Sequence, residues 1–268
     1  MYSTLIVSFP KSGRTWLRYM IGSLVRGLDG GGHDDGANGM MDEGLDLGAR
    51  FGLTFSHLGA VHSCPRDHVD DALREFSPSG APRTGVLLAR NAYSTLTSYY
   101  YHARFRQRDR PFESACVDEF LASERFGLPR LIAFYRAWSR AWAPALGCAH
   151  VLWYDDMLQD PVAGLERVAE LAGIEADRSS VERAVEDASF ERMKRASLAA
   201  EAPDHLKPRD VEDPRTFKVR RADPLEYRSF FNADQLALIA GSLRNDPIIS
   251  ASGALAGLWA EPRVPAGA

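Results

Sequence analysis

The sequence is poor in cysteine and has no long apolar run. Its three cysteines, Cys64, Cys116 and Cys148, are too few and too widely spaced for a disulfide framework, and no C-x-x-C pair offers a metal site. They fit small buried side chains in a reducing compartment. The first apolar segment starts at Leu5, which leaves no room for a signal peptide, and no apolar run approaches the roughly 18 residues of a membrane span. We therefore expect a cytoplasmic protein without a membrane anchor.

Positive charge is scarce as well. The 268 residues carry a net charge of −4, and lysine occurs only four times, at positions 11, 194, 207 and 218. Binding to a nucleic-acid backbone depends on clustered positive charge, so nucleic acid is not an expected partner. The arginines at positions 104, 106, 108 and 110 are interpreted as a solvated basic run. No pattern indicates an oligomeric state.

Apolar runs alternate with helical patterns along the chain. Leu5–Phe9, Gly85–Ala89 and Ala149–Trp153 have the composition of buried strands, and a shorter strand falls within 51–58. Helical periodicity lies between and after these runs. The alternation predicts an α/β fold, in which a central parallel sheet is flanked by helices on both faces.

One domain is expected to span residues 1–249, followed by a Pro- and Gly-rich tail at 250–268. The Gly- and Asp-rich segment 28–50 has no periodicity and is expected to be a flexible loop. Capping signals mark the starts of three helices: Asp160 before Pro161, Ser179 with Glu182, and Asn232 with Gln235.

The segment between the first strand and the first helix has the composition of an anion site. It holds two cations, two hydroxyls and a glycine: Lys11, Arg14, Ser12, Thr15 and Gly13. The first amides of the helix have no helical partner and lie at its positive end, and the glycine allows close approach of a ligand. An anion of phosphate or sulfate shape fits such a turn. The alternative is an ordinary turn with two solvated cations.

These residues resemble a known motif. Pro10-Lys-Ser-Gly-Arg-Thr-Trp16 is similar to P-K-S-G-T-T-W, the 5′-phosphosulfate loop of the soluble sulfotransferases. Those enzymes move a sulfuryl group from 3′-phosphoadenosine 5′-phosphosulfate (PAPS) to an acceptor without a metal ion. The resemblance implies a P-loop-type sheet and PAPS as the donor. It also implies that Lys11 stabilises charge on the leaving 5′-phosphate oxygen.

Two further segments resemble the family's 3′-phosphate motifs. The segment from Arg90 to Ser98 is similar to R-N-P-x-D-x-x-x-S, which implies that these two residues hold the 3′-phosphate, although Ala92 and Ser94 replace the Pro and Asp. The segment 217–231 is a more distant match to F-x-R-K-G-x-x-G-D-W-K-x-x-F. The resemblance implies that Arg220, Arg221 and Ala222 cover the same phosphate. Ala222 stands where the family motif has its first Gly.

Aromatic residues match the family's adenine pocket. Val151–Met157 resembles the strand end whose tyrosine, here Tyr154, meets the adenine, and 188–194 resembles T-S-F-x-x-M-K. The resemblance implies that Ser189 and Phe190 line that pocket. Trp16, Tyr154 and Phe190 would then sandwich the base by stacking. Without the resemblance, these rings would be assigned to the core.

His57 is the candidate catalytic base. Ser56-His57-Leu58 falls where the family has T-H-L, and an imidazole with an ordinary pKa suits proton transfer at neutral pH. Phe55 departs from the family, which usually has a lysine two residues before this histidine. We suggest that Arg14, which replaces a threonine of the family loop, supplies the missing charge.

Together the motifs predict a PAPS-dependent sulfotransferase that acts on a hydroxyl of a small-molecule or natural-product acceptor. Under the same hypothesis the 28–50 loop acts as a lid over the acceptor site. Two alternatives remain. A P-loop nucleotide kinase would bind ATP with magnesium. A non-catalytic nucleotide-binding module of the same fold would bind the nucleotide without turnover, and Phe55 and Ala222 favour it.

Overall fold

A parallel sheet forms the centre of the molecule. The computed structural model describes residues 3–30, 50–56, 83–200, 202–220 and 223–261. Within these ranges all strand pairs are parallel and the order is β2-β1-β3-β4. The strands are β1 (Ser3–Ser8), β2 (Leu53–Ser56), β3 (Arg83–Ala89) and β4 (Cys148–Trp153).

Helices follow each strand where the chain is described. α2 continues into a π-helical turn at His102–Arg106, and α4 into another at Trp138–Trp142. The described α-helices of four or more residues are α1 (Arg14–Leu28), α2 (Ala92–Tyr101), α3 (Val117–Ala122), α4 (Leu128–Ala137), α5 (Tyr154–Gln159), α6 (Pro161–Ala172), α7 (Arg178–Asp187), α8 (Phe190–Leu198), α9 (Tyr227–Phe230) and α10 (Ala233–Arg244).

The sheet separates two hydrophobic cores. Successive strand residues enter different cores, because side chains alternate between the two faces of a strand. Ile6 and Val86 pack with α1, α6 and α7 on one face. Leu5, Val7 and Leu87 pack with α2, α4 and α10 on the other. The predicted α/β fold, with helices on both faces of a parallel sheet, is confirmed.

Two of the three predicted helix starts are correct. The Asp160 side chain caps α6 and accepts a hydrogen bond from the Ala163 amide at 3.0 Å. Asn232 and Gln235 form the predicted capping box at the start of α10, each side chain accepting from the other residue's amide. In both caps the interacting residues are three positions apart in the sequence, so the sequence pattern was sufficient to predict them.

The capping box predicted at Ser179 and Glu182 is wrong. α7 begins earlier, with Asp177 as the cap, and its carboxylate accepts from the Ser180 amide at 2.7 Å. The Ser179 hydroxyl donates to the same carboxylate, and Glu182 accepts from Arg178. Since Asp177 already satisfies the first turn, the serine is not needed as a cap.

The predicted basic run is only partly solvated. Arg106 is half-buried against the 203–216 loop and donates hydrogen bonds to the carbonyl oxygens of His205, Lys207 and Thr216. Burial lowers the pKa of Arg106 to about 10, with the neighbouring Arg108 adding to the effect. This arginine therefore anchors a loop, and its interpretation as a solvated residue is wrong.

Part of the predicted tail packs against the sheet. Gly253–Leu258 forms a 3₁₀ helix that buries Leu255 and Leu258, and the Asn91 side chain donates to the carbonyl oxygen of Ala260. No helix in the described ranges is long and apolar enough to cross a lipid bilayer. The predicted sites at positions 57, 221 and 222, and most of the 28–50 loop, lie outside the described residues.

Candidate functional site

The turn between β1 and α1 has the geometry of an anion loop. Lys11 and Gly13 both adopt left-handed backbone conformations, with φ of 72° and 95°. A Cβ at Gly13 would stand 2.3 Å from Cδ2 of Tyr154, so only glycine fits. The Leu17 amide donates to the Gly13 carbonyl at 3.1 Å and closes the first helical turn. The amides of residues 14–16 precede that bond and so have no partner within the helix.

Arg90 joins the end of β3 to this loop. Its Nη1 donates to the carbonyl oxygen of Lys11 at 3.0 Å, and its Cζ lies 4.6 Å from the centre of the Tyr154 ring. β1 and β3 are parallel neighbours, so the two residues leave the sheet at the same edge. Ligands of parallel α/β sheets bind at this carboxyl edge.

A cavity of about 710 Å³ opens at the carboxyl edge of the sheet. Of the predicted site residues that the structure describes, eleven line it: Lys11, Gly13, Arg14, Thr15, Trp16, Arg90, Ser98, Tyr154, Ser189, Phe190 and Arg220. Ser12 does not, because its side chain is fully buried beneath the loop, beside Tyr135. Residues that are distant in the sequence, such as Lys11, Arg90 and Arg220, therefore meet in one place.

The aromatic rings that line the cavity form an aromatic wall, made of Trp16, Tyr154 and Phe190, in which the first two rings do not lie parallel. Trp16 and Tyr154 pack against each other with ring centres 5.6 Å apart and planes at 73°. The Trp16 indole donates to the carbonyl oxygen of Ala188 at 3.0 Å, which places the ring beside the start of α8, where Phe190 lines the cavity. A base stacked on one of the first two rings would meet the other at its edge.

The opposite part of the cavity contains an ion pair. Arg220 and Glu226 pair through both guanidinium nitrogens, and the Arg220 Cζ lies 3.9 Å from the centre of the Tyr101 ring. Ser94 donates from Oγ to the carbonyl oxygen of Pro224 at 2.9 Å and so ties α2 to this segment. Arg220 is thus held in place before any ligand binds.

Positive charge is concentrated in the cavity. Within the described residues its lining has five basic side chains, Lys11, Arg14, Arg90, Lys218 and Arg220. The acidic side chains there are Glu186, Asp223 and Glu226, and the last of these already pairs with Arg220. The excess of positive charge favours an anionic ligand.

The cations repel one another, and this changes their pKa values. Burial lowers the pKa of Lys11 well below its usual value, and the nearby charges of Lys218, Arg106, Arg90 and Arg220 lower it further. An anion placed among these groups would relieve both effects, because it would pair with the charged forms.

Lys218 is a cavity residue that the sequence motifs did not identify. Burial lowers its pKa to about 7, and the charges of Arg106, Arg14 and Arg18 contribute. Burial, together with Arg18, also lowers the pKa of Arg14 to about 10. A signal was present in the sequence, since lysine is rare in this chain and Lys218 stands two residues before a predicted site.

Metal ligands are not clustered in the described part of the chain. Within those ranges no three His, Cys, Asp or Glu side chains come together as the ligands of an ion would. The site is therefore defined by an amide-lined loop, basic side chains and aromatic rings at the carboxyl edge of a parallel sheet. This arrangement defines an α/β protein that binds a phosphorylated or sulfated ligand.

Comparison with known proteins identifies the family. The sulfotransferase domain profile matches residues 85–238, more than half of the chain. The chain therefore belongs to the sulfotransferase domain family. A search of curated protein sequences finds no match.

Solved structures share the fold. Mouse sulfotransferase SULT7A1 complexed with PAP has a TM-score of 0.56 and 18% identity, over 93% of this chain and 87% of that one. Retinol dehydratase with androsterone and the inactive cofactor PAP has a TM-score of 0.58 and 15% identity, over 91% and 81%. Retinol dehydratase with retinol and PAP gives 0.55 and 16%, over the same shares.

Proposed function

We propose that this protein transfers the sulfuryl group of PAPS to a hydroxyl of a small-molecule acceptor. One observation carries the proposal: the anion loop at Lys11 and the side chain of Arg90 line a single basic cavity in a chain of the sulfotransferase family. Solved relatives of this fold contain PAP, the desulfated form of the donor. A small molecule, not a nucleic acid, is the proposed partner.

The two phosphates of the donor are assigned to different parts of the cavity. The loop amides of residues 14–16 and the ammonium group of Lys11 would bind the 5′-phosphosulfate, with Ser12 acting through its backbone because its hydroxyl is buried. Arg90 and Ser98 would hold the 3′-phosphate. Arg220, Arg221 and Ala222 would cover it, and Arg220 would exchange or share its bond to Glu226.

The adenine is assigned to the aromatic wall. Trp16, Tyr154, Ser189 and Phe190 line one continuous cavity with the loop. The angle between the first two rings favours stacking of the base on one of them and edge contact with the other.

The transfer would be an in-line displacement through a loose transition state, catalysed by positioning and by fixed positive charge. The S–O bond to the 5′-phosphate breaks as the acceptor oxygen bonds to sulfur. Lys11 would stabilise the negative charge on the leaving phosphate oxygen. The basic side chains supply this stabilisation without a metal ion in the proposed reaction.

His57 is proposed to accept the proton of the acceptor hydroxyl. β2 ends at Ser56, which pairs with Val7 of β1, so the chain leaves β2 at the edge from which the Lys11 loop also departs. This register supports a base near the sulfuryl group.

Transfer of labelled sulfate from PAPS to a panel of alcohols and phenols tests the proposal. Thermal stabilisation by PAP in the presence of EDTA, and none by ATP with magnesium, is the expected binding result. Stabilisation by magnesium-ATP alone would instead indicate a nucleotide kinase. PAP binding without transfer to any acceptor would indicate a binding module, which Phe55 favours because it stands where the family usually has a lysine.

A further inference from the structure

Lys218 is a half-buried cation, and the charges that act on it most strongly are those of other basic side chains. Its side chain lines the cavity, and the surrounding protein shields much of it from water. The charges that act on it are those of Lys11, Arg14, Arg18 and Arg106. Among the described residues, no carboxylate forms an ion pair with Lys218, whereas Arg220, two residues on, has Glu226.

Such a position is unfavourable for the free protein. An ammonium group that is partly removed from water and lies among other cations, without a counter-charge, is destabilising. Its retention in a cavity indicates a ligand that supplies the missing negative charge. A purely structural lysine would instead carry a partner, as Lys207 does when it donates to the carbonyl oxygen of Ala200 at 2.7 Å.

The neighbours of Lys218 show at which end of the cavity it lies. Lys218 is the charged group that acts most strongly on Lys11, so the two ammonium groups lie close together. Arg106, and after it Arg14 and Arg18 in the first turns of α1, act on Lys218. The next residue along the chain, Val219, packs against the core cluster that also holds Trp16 and Phe55, on the α1 side of the sheet.

Arg18 also marks the side of the sheet on which this end lies. Its Cζ is 5.5 Å from the centre of the Phe55 ring on β2. β2 and β3 flank β1 on opposite sides, and Arg90 follows β3. Lys218, on which the charge of Arg18 acts, thus lies near the start of α1 and beside the ammonium group of Lys11.

We propose that Lys218 is a donor-binding residue at the 5′ end of the nucleotide, where its ammonium group contacts the phosphosulfate beside Lys11. The inference rests on the proposed function, because it takes PAPS as the ligand. In the ground state Lys218 pairs with the anionic phosphosulfate. As the S–O bond breaks, the leaving phosphate gains charge, and the two ammonium groups stabilise it together.

The test measures how two variants bind PAP and two nucleotides that each carry only one of its phosphates. Lys218→Met removes the ammonium group, and Ser98→Ala changes the end assigned to the 3′-phosphate. Calorimetric titration with PAP, adenosine 5′-monophosphate and adenosine 3′-monophosphate measures each end separately. We expect Lys218→Met to weaken PAP and the 5′-monophosphate by about tenfold to a hundredfold, the scale of a charged hydrogen bond. The 3′-monophosphate should bind to this variant as it does to the wild type.

Controls separate a local effect from loss of the fold. Lys207→Met removes a lysine that does not line the cavity and should bind all three ligands normally. Without ligand, Lys218→Met should melt at the same temperature as the wild type or higher, because it removes a half-buried charge that lies among other cations. Lys218→Gln keeps a polar side chain of similar reach and replaces the Met variant should that variant fail to fold.

Two results would overturn the inference while leaving the proposed function intact. In the first, Lys218→Met binds PAP and both monophosphates as tightly as the wild type. In the second, its loss of affinity falls on the 3′-monophosphate. If wild-type protein shows no affinity for PAP at all, the proposed function and the role of Lys218 fail together.

Discussion

The guanidinium group of Arg90 donates a hydrogen bond to the main-chain carbonyl oxygen of Lys11 at 3.0 Å. The bond joins the loops that follow two neighbouring strands, and it holds the left-handed backbone of Lys11 from the side of β3. The same guanidinium lies over the Tyr154 ring, at the end of β4. Three strand ends are therefore connected around one side chain, and the cavity depends on this connection.

Replacing Arg90 with alanine should weaken PAP binding by about tenfold to a hundredfold, because the variant loses both a charged donor and the support of the loop. Arg90→Lys should restore little of the affinity, since an ammonium group cannot reach two acceptors in a planar fork. Calorimetric titration measures both. Arg167→Ala is the matched control, because within the described part of the chain Arg167 pairs only with the exposed Glu170 on α6. Equal PAP affinity in Arg90→Ala and wild type would contradict the assignment.

Gly13→Ala should distort the anion loop. The added Cβ would stand 2.3 Å from the Tyr154 ring at a φ of 95°, so the loop or the ring must move. We expect a loss of about 1–3 kcal/mol in the free energy of unfolding and a large loss of PAP affinity. Denaturant unfolding and titration measure these. Gly27→Ala, in α1 with no atom within 4 Å of its added Cβ, should be neutral or stabilising. A Gly13→Ala protein with wild-type stability and affinity would show that the loop has another geometry.

His57→Ala should reduce turnover by about 10²–10⁴, the usual contribution of a general base, and leave PAP affinity nearly unchanged. The separation of the two effects is expected because His57 is assigned to the acceptor and the cations to the donor. Steady-state rates with labelled PAPS and titration with PAP measure them on the same preparation. Near-native turnover in this variant would remove His57 from the mechanism.

PAP affinity should fall as the pH rises above about 7. In the free protein, burial and the charges of Arg106, Arg14 and Arg18 lower the pKa of Lys218 to about 7. A bound phosphate would raise that pKa again. At a pH below the pKa of Lys218 in the free protein, this side chain carries its proton both in the free protein and in the PAP complex, so the affinity does not depend on pH. Above that value binding must take up a proton, so Kd rises by up to about tenfold per pH unit until the bound-state pKa is passed.

Proton uptake can be counted directly. Titration at a pH of about 8 in two buffers of different ionisation enthalpy should show uptake in the wild type and less in Lys218→Met. Some uptake should remain, because burial also lowers the pKa of Lys11. Equal uptake in both proteins would exclude Lys218 as the group that titrates.

The lowered pKa of Lys218 also makes the stability of the free protein depend on pH. A lysine with a lowered folded-state pKa binds fewer protons in the folded than in the unfolded state between that pKa and about 10.4. Lys218 therefore makes the free protein more stable as the pH rises through this range, and the gain should be smaller in Lys218→Met. Thermal melts across the range measure it, and an equal gain in both proteins would contradict the shift.

Features that depend on residues close together in the sequence could be predicted from the sequence. The anion loop is a strand, a turn and a helix within 14 residues, and its chemistry lies in consecutive side chains. The same holds for the caps at Asp160 and Asn232. The start of α7 was misplaced because Asp177 and Ser179 are both good caps, and the choice depends on where the helix packs.

By itself, the sequence determined the parallel α/β fold and the anion loop, because hydrophobic periodicity and turn chemistry act over short stretches of chain. The residues from other segments that cluster around the loop were predicted by the resemblance of their motifs to those of the sulfotransferases. Tertiary structure decided which long basic side chains face the cavity. Arg106 anchors a loop and Lys218 lines the site, although both stand in polar segments that look equally solvated. The direction of such a side chain is set by what packs around it, and those neighbours come from distant parts of the chain.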